Sequence, residues 1–216
     1  AGAIAALFAC AHEMGDSDLL EFAQQACEPM LRVLDDSSMR FRLQRDSGLG
    51  ISGYGGVLRL MELFSNQGWN PRVGSMLPQT VALVEPTLIA SDSGLDVISG
   101  IAGSLPVVAR VSAQGGPGKD LAALMARRLM EQQDASGGWV LTSPGIKNQR
   151  PLTGLGHGAS GMGLALLEAG VVLADDRMVE AGARAFAYED SVFDHEVGNW
   201  PDFRGNDADT QFMSGW

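Results

Sequence analysis

The sequence predicts an all-α fold, an α/α toroid in which inner helices line a centre and outer helices cover them. Three observations predict it. A short motif, [Ser/His]-Gly-x-x-Gly, recurs as Ser52-Gly53-Tyr54-Gly55-Gly56, Ser99-Gly100-Ile101-Ala102-Gly103 and His157-Gly158-Ala159-Ser160-Gly161. Its first glycines, Gly53, Gly100 and Gly158, lie 47 and 58 residues apart, the length of one helical hairpin, and hairpins at a fixed period stack into repeat architectures. The segments after each motif read as apolar nearly all round, whereas those between them are amphipathic, so buried and half-buried helices alternate.

The helices follow in order. Leu19, Phe22, Ala23, Ala26, Cys27, Met30 and Leu34 form one helical face, with Asp16 or Ser17 as cap and Pro29 as a kink. Val57–Phe64, Leu105–Val111 and Met162–Leu173 are the expected inner helices. Leu121, Leu124, Met125, Arg128 and Leu129 trace an outer stripe, and 176–190 a third amphipathic helix with Met178, Val179, Gly182 and Phe186 inward. Residues 36–50, 136–156 and 192–216 read as long loops, a length that in compact domains is often functional. Strand signals are poor; only Gly138–Leu141 could be extended. The motif glycines are expected to permit a sharp turn into each inner helix and to let the helix N-termini crowd at one rim, a donor-rich mouth.

The composition bounds function. The 216 residues carry 15 Lys and Arg against 26 Asp and Glu, a net charge of −11, which argues against nucleic acid as a partner. Arg40, Arg42 and Arg45 make a local basic cluster, read as a solvated loop in preference to a grip on an acidic peptide. No apolar run reaches the ~18 residues of a membrane span. Cys10 and Cys27 sit among apolar neighbours and read as buried thiols in a reducing, cytoplasmic setting, not a disulfide framework.

The third motif breaks its own pattern by carrying His where the others carry Ser, and a titratable group in that place marks the expected site of chemistry. His157 is the candidate acid/base; the alternative is a ring that only ties down a Gly-rich turn. Asp96 is either an N-cap or the carboxylate that orients the imidazole, roles that can coexist. Tyr54 and Trp139 read as core more than as lining of a peptide channel. His12 and His195 have no motif support, and Glu189–Glu196 reads as a solvated acidic face.

Asp96-Val97-Ile98-Ser99-Gly100-Ile101-Ala102-Gly103, Leu152-Thr153-Gly154-Leu155-Gly156-His157-Gly158-Ala159-Ser160-Gly161 and Gly198-Asn199-Trp200-Pro201-Asp202 resemble the lanthionine synthetase C-like cyclases over essentially the whole chain. The Gly-Asn-Trp-Pro-Asp stretch is most similar to the cyclase domain of bifunctional type II lanthipeptide synthetases. The resemblance implies a seven-hairpin ring of which residues 1–216 hold about four, truncated at both ends, since Gly2-Ala3-Ile4-Ala5 aligns with the tail of a motif and another unit would be due at Ser214-Gly215-Trp216. Such a piece is expected to be marginally stable or self-associating by itself.

The family adds a peptide Cys thiol to dehydroalanine or dehydrobutyrine, giving (methyl)lanthionine thioether rings. The implied partners are a dehydrated, Cys-containing precursor peptide and a dehydratase domain of the same polypeptide. The implied cofactor is Zn2+, which activates the thiolate and is held by a Cys directly after a Trp and by a later Cys-His pair. Trp216 matches that Trp, so the ligands are expected beyond it and none is assigned in this chain; the isolated piece is expected to be inactive. Met213 stands where some peptide cyclases have an Arg, so that role, if needed, is filled otherwise. His157 and Asp96 match the family's active-site His and Asp; Asn199, Trp200 and Asp202 read as a structural corner. The alternatives are a toroid that binds thiols or peptides without catalysis, and a glycosidase- or terpene-cyclase-like barrel. The latter needs paired acids facing the cavity, and the inner helices read as offering almost none.

Overall fold

A computed structural model describes residues 1–140, 150–204 and 212–213. Among them the chain is helical, with no strand and only two isolated bridges, Asp194 with Asn199 and Pro201 with Phe212. Four hairpins follow one another. Helix α1 (Gly2–Met14) packs on α2 (Ser17–Asp35), and α3 (Ser37–Ser47) links them to the next pair. Helix α4 (Tyr54–Gln67) is backed by three short pieces, α5 (Pro71–Ser75), α6 (Leu77–Ala82) and α7 (Pro86–Ser91). Then α8 (Leu105–Ala113) pairs with α9 (Lys119–Gln132), and α10 (Ala159–Leu173) with α11 (Asp176–Val192). Helices α1, α4, α8 and α10 touch in that order and form the inner wall.

Local chemistry explains the boundaries. Asp16 caps α2 by accepting from Asp18 N and Leu19 N, and the helix then runs on through Pro29. Phe22, expected inside, is exposed; Ala23, Cys27, Leu31 and Leu34 are the buried face. The stretch 36–50, expected to be a loop, is mostly α3, capped by Asp36, whose carboxylate accepts from Ser38 N and Met39 N. The helix is so polar that its apolar spacing gives no signal: Gln44 is its only buried residue, held by Leu83 O and Glu85 N. The basic cluster thus lies on a helix, with Arg45 paired to Asp46 at 2.7 Å. Three prolines at helix starts, Pro71, Pro78 and Pro86, divide the outer wall opposite α4. Cys10 is exposed, against expectation, because α1 turns that side away from its neighbours; Cys27 is buried.

The core runs between the two walls. Leu58, Met61, Phe64, Leu105, Val108, Met125, Leu129, Met162 and Leu166 are fully buried, each side chain contributing about 1.5–3 kcal/mol. Tyr54 and Trp139 belong to it: Tyr54 donates to Thr80 O at 2.9 Å and Trp139 Nε1 to Leu129 O at 2.8 Å. The inner helices are not apolar all round, however. Arg110 on α8 grips Glu62 on α4 through two contacts (2.6 and 3.0 Å) and reaches Glu168 on α10 at 2.8 Å. The two acids and Arg59 line a cavity of about 700 Å3 between α1, α4, α8 and α10. Paired acids are therefore present on the inner helices, against expectation, but they share Arg110, and Arg59 lies 3.0 Å from Glu62, so two cations balance the two acids.

The motif glycines work through space rather than through backbone conformation. Gly53, Gly100 and Gly158 all have negative φ (−120°, −104° and −106°). What they lack is a Cβ: one added at each would strike the backbone five or six residues earlier, at Ser47, Leu95 and Thr153. The second glycines repeat this, with Gly56 against Ile51, Gly103 against Val97 and Gly161 against Leu155. We therefore expect Gly161→Ala to lower unfolding free energy by about 2–3 kcal/mol, whereas Gly2→Ala, which meets nothing within 4 Å, causes no loss. Urea denaturation of the two variants checks this, and equal midpoints would contradict it.

Candidate active site

The loops leading into the inner helices lie side by side and share backbone hydrogen bonds. Gly50, Ile51 and Ser52 donate to Ser99 O, Val97 O and Ile98 O at 2.9–3.1 Å, and Val97 N donates to Gly156 O at 3.2 Å. The second loop thus sits between the first and the third, and the third carries His157.

Asp96 is placed by its own turn. The Asp92 carboxylate accepts from Gly94 N, Leu95 N and Ile101 N, closing the loop that precedes the 3-10 turn Ile101–Gly103. Burial pushes the Asp92 carboxyl above its ordinary range, against those three donors and with the Asp96 charge adding to the rise. Leu95 takes a left-handed φ of 57°, a conformation that costs about 1–2 kcal/mol outside glycine. Its N–H is tied to Asp92 and its carbonyl to Ala102 N, so Asp96 follows a rigid step. Asp96 Oδ1 then accepts from Ser99 N (2.7 Å), Ser99 Oγ (3.0 Å) and Gly100 N (3.2 Å).

The other Asp96 oxygen meets His157. Oδ2 lies 2.6 Å from His157 Nδ1, with the Asp96 side chain 5% exposed and the His157 ring 52% exposed. The two candidates are thus joined; Asp96 is not the N-cap that was the other expectation for it, since Gly100 precedes the 3-10 turn and Ser104 precedes α8, neither with a side-chain cap bond. A carboxylate only accepts, so Nδ1 carries the proton and Nε2 of the neutral ring is left with its lone pair. The result is an imidazole fixed at one nitrogen and open at the other, able to take a proton from one group and give it to another.

The His157 loop is held from behind by Glu189, Tyr188, Thr153 and Trp200. Glu189, expected on a solvated face, is buried at 6% exposure, and its Oε1 accepts from Gly154 N (2.8 Å) and Ser160 N (2.6 Å). The signal was there: Met178, Gly182, Ala185 and Glu189 follow one helical stripe on α11, and all four are buried. The rest of that run, Asp190 to Glu196, is exposed or half-buried as expected, with His195 edge-on to Phe193. Tyr188 donates to Pro151 O at 2.6 Å, Thr153 Oγ1 to Pro201 O at 3.4 Å, and Trp200 Nε1 to Glu189 O at 3.0 Å. The corner predicted at Asn199–Asp202 forms: Asn199 Nδ2 donates to Met213 O and Met213 N to Trp200 O. His12, on α1, stacks instead on Trp69, which follows α4.

Zinc does not fit the described residues. No group of three or more His, Cys, Asp or Glu side chains among them converges on a metal-sized site, and Trp216 lies outside them. No step below passes through a metal. No helix among the described residues is long and apolar enough to cross a membrane.

The family described as lanthionine synthetase C-like protein matches residues 1–216. The chain belongs to that family. No curated protein and no solved structure matches it. The lanthionine synthetase C-like family is associated with thioether-forming cyclase activity on peptides, and the helical hairpins described above have the architecture of its α/α toroid.

The anchoring of the His157 loop gives an alkaline signature. Burial pushes the Tyr188 phenol up to about 12, with the Arg150 charge opposing and Asp134 and Glu189 adding to the rise. A phenol raised in the folded state stabilises fully below its ordinary value near ~10 and loses that contribution as pH climbs towards its folded value. Stability is therefore expected to fall between pH ~10 and the folded value, and Tyr188→Phe should flatten that fall while costing about 1 kcal/mol at neutral pH. Urea titrations of both proteins across this range test it; parallel curves would show that Tyr188 is not the group involved.

Proposed function

We propose that this chain is part of the cyclase domain of a bifunctional, type II lanthipeptide synthetase, and that it helps close (methyl)lanthionine rings in a dehydrated precursor peptide. The observation that carries the reading is the 2.6 Å contact of His157 Nδ1 with buried Asp96, in a chain of the lanthionine synthetase C-like family. A dehydratase domain of the same polypeptide is the proposed source of the dehydroamino acids.

The chemistry needs one proton moved twice. The Cys sulfur forms a bond to the β-carbon of dehydroalanine or dehydrobutyrine, and the π pair moves onto the α-carbon and its carbonyl. The enolate formed takes a proton at the α-carbon. His157, with Nε2 open, is placed to accept the thiol proton and to deliver one to the enolate. Asp96 stabilises the imidazolium between the two transfers and keeps the ring from turning. The net change is addition of S–H across C=C, with no oxidant or reductant.

In the full-length protein given its dehydrated precursor at pH 6, where few free thiols are ionised, His157→Ala is expected to slow ring closure about 10²–10⁴-fold. Asp96→Asn should slow it less and leave KM nearly unchanged. Alkylation of remaining thiols followed by mass spectrometry gives the count of closed rings. Undiminished closure by His157→Ala would remove the acid/base assignment.

A further inference from the structure

His157 borders a notch of about 20 Å3 that it shares with Leu152, Thr153, Asp202, Phe203, Arg204 and Met213. That volume admits an atom group the size of one oxygen, not a side chain. Of the polar groups around it, Thr153 Oγ1 is turned to Pro201 O, and Asp202 is taken up by Arg204 through Nε (2.8 Å) and one Nη (2.6 Å). The Asp202 carboxyl is held below its usual range by that guanidinium, and the two parallel bonds orient the planar fork of the half-exposed Arg204. The remaining Nη of Arg204 meets no acceptor among the described residues. Phe203, with Arg150 stacked 4.4 Å from its ring centroid, and Met213 offer no donor.

We propose that Arg204 is a further catalytic residue, donating from this nitrogen to the carbonyl oxygen of the dehydroamino acid under attack. The inference rests on the cyclase reading above. As sulfur bonds to the β-carbon, the displaced π pair places negative charge on that oxygen, which is neutral in the free peptide. A fixed cation beside it stabilises the transition state more than the ground state. The oxygen in the notch also brings the α-carbon within reach of His157, so one small cleft would hold the developing charge and supply the proton.

The test uses the full-length protein and two synthetic peptides. One carries a dehydroalanine and a cysteine; the other has serine for that cysteine and cannot close. Arg204→Ala is expected to lower kcat for closure about 10²–10³-fold, to leave the thermal midpoint unchanged, and to weaken calorimetric binding of the non-closing peptide several-fold. Arg204→Gln serves if the alanine variant does not fold. Closure within about threefold of wild type, with unchanged affinity, would overturn the proposal while the cyclase reading stands. If wild type binds the non-closing peptide but never closes the other, the cyclase reading falls, and the Arg204 dependence of binding decides the contact separately. If wild type neither binds nor closes, both fall.

Discussion

Everything in this chain depends on how closely its motif loops approach one another. Backbone hydrogen bonds run from the first loop to the second and from the second to the third, through Ile51 to Val97 and Val97 to Gly156. Within the same loops, glycines stand where a Cβ would fall on a carbonyl: Gly50 against Ile98, Gly103 against Val97, Gly161 against Leu155. Remove that freedom and the inner helices must splay. The core between the walls and the alignment of the loops would then be lost together, which is why one motif recurs ahead of α4, α8 and α10.

The site is a consequence of that alignment. Ser52, Ser99 and His157 occupy the same place in successive units. Ser52 Oγ reaches Ile98 O of the neighbouring loop, and Ser99 Oγ stays with Asp96 in its own. An imidazole in the third unit is long enough to reach back to that same Asp96. The carboxylate therefore stitches two repeats while serving the group that breaks the pattern. Deeper in the ring, Glu62, Arg110 and Glu168 lie six or seven residues after Gly56, Gly103 and Gly161 and tie three inner helices at one level. The repeat sets both the chemistry at the rim and the charge pairing below it.

Much of this was legible in the sequence. The all-α class, four hairpins and the alternation of inner and outer helices follow from motif period and apolar spacing, and the two candidate residues, His157 and Asp96, are in contact. What escaped has identifiable causes. Helix α3 is polar on nearly every side, so no stripe announces it. Charged residues inside apolar segments were overlooked because Arg59, Glu62, Arg110 and Glu168 find each other only across different helices. Glu189 was assigned to solvent by its acidic neighbours, although its spacing from Met178, Gly182 and Ala185 continues the buried face. The glycines were expected to serve sharp turns through backbone freedom, but at Gly53, Gly100 and Gly158 the requirement is for room. Arg204 could not be placed beside His157 from spacing, because it comes from a segment about fifty residues further along the chain.

The central claim is that Asp96 holds His157 with the proton on Nδ1 and Nε2 open for chemistry. Two-bond 15N–1H correlation spectra of the histidine rings in the full-length protein, assigned with His157→Gln and repeated in Asp96→Asn, read that state directly. The account predicts a neutral wild-type His157 ring whose Nε2 has the shift of an unprotonated nitrogen, and a change of tautomer population in Asp96→Asn. A ring protonated on Nε2, or one that averages freely between tautomers in both proteins, would contradict it.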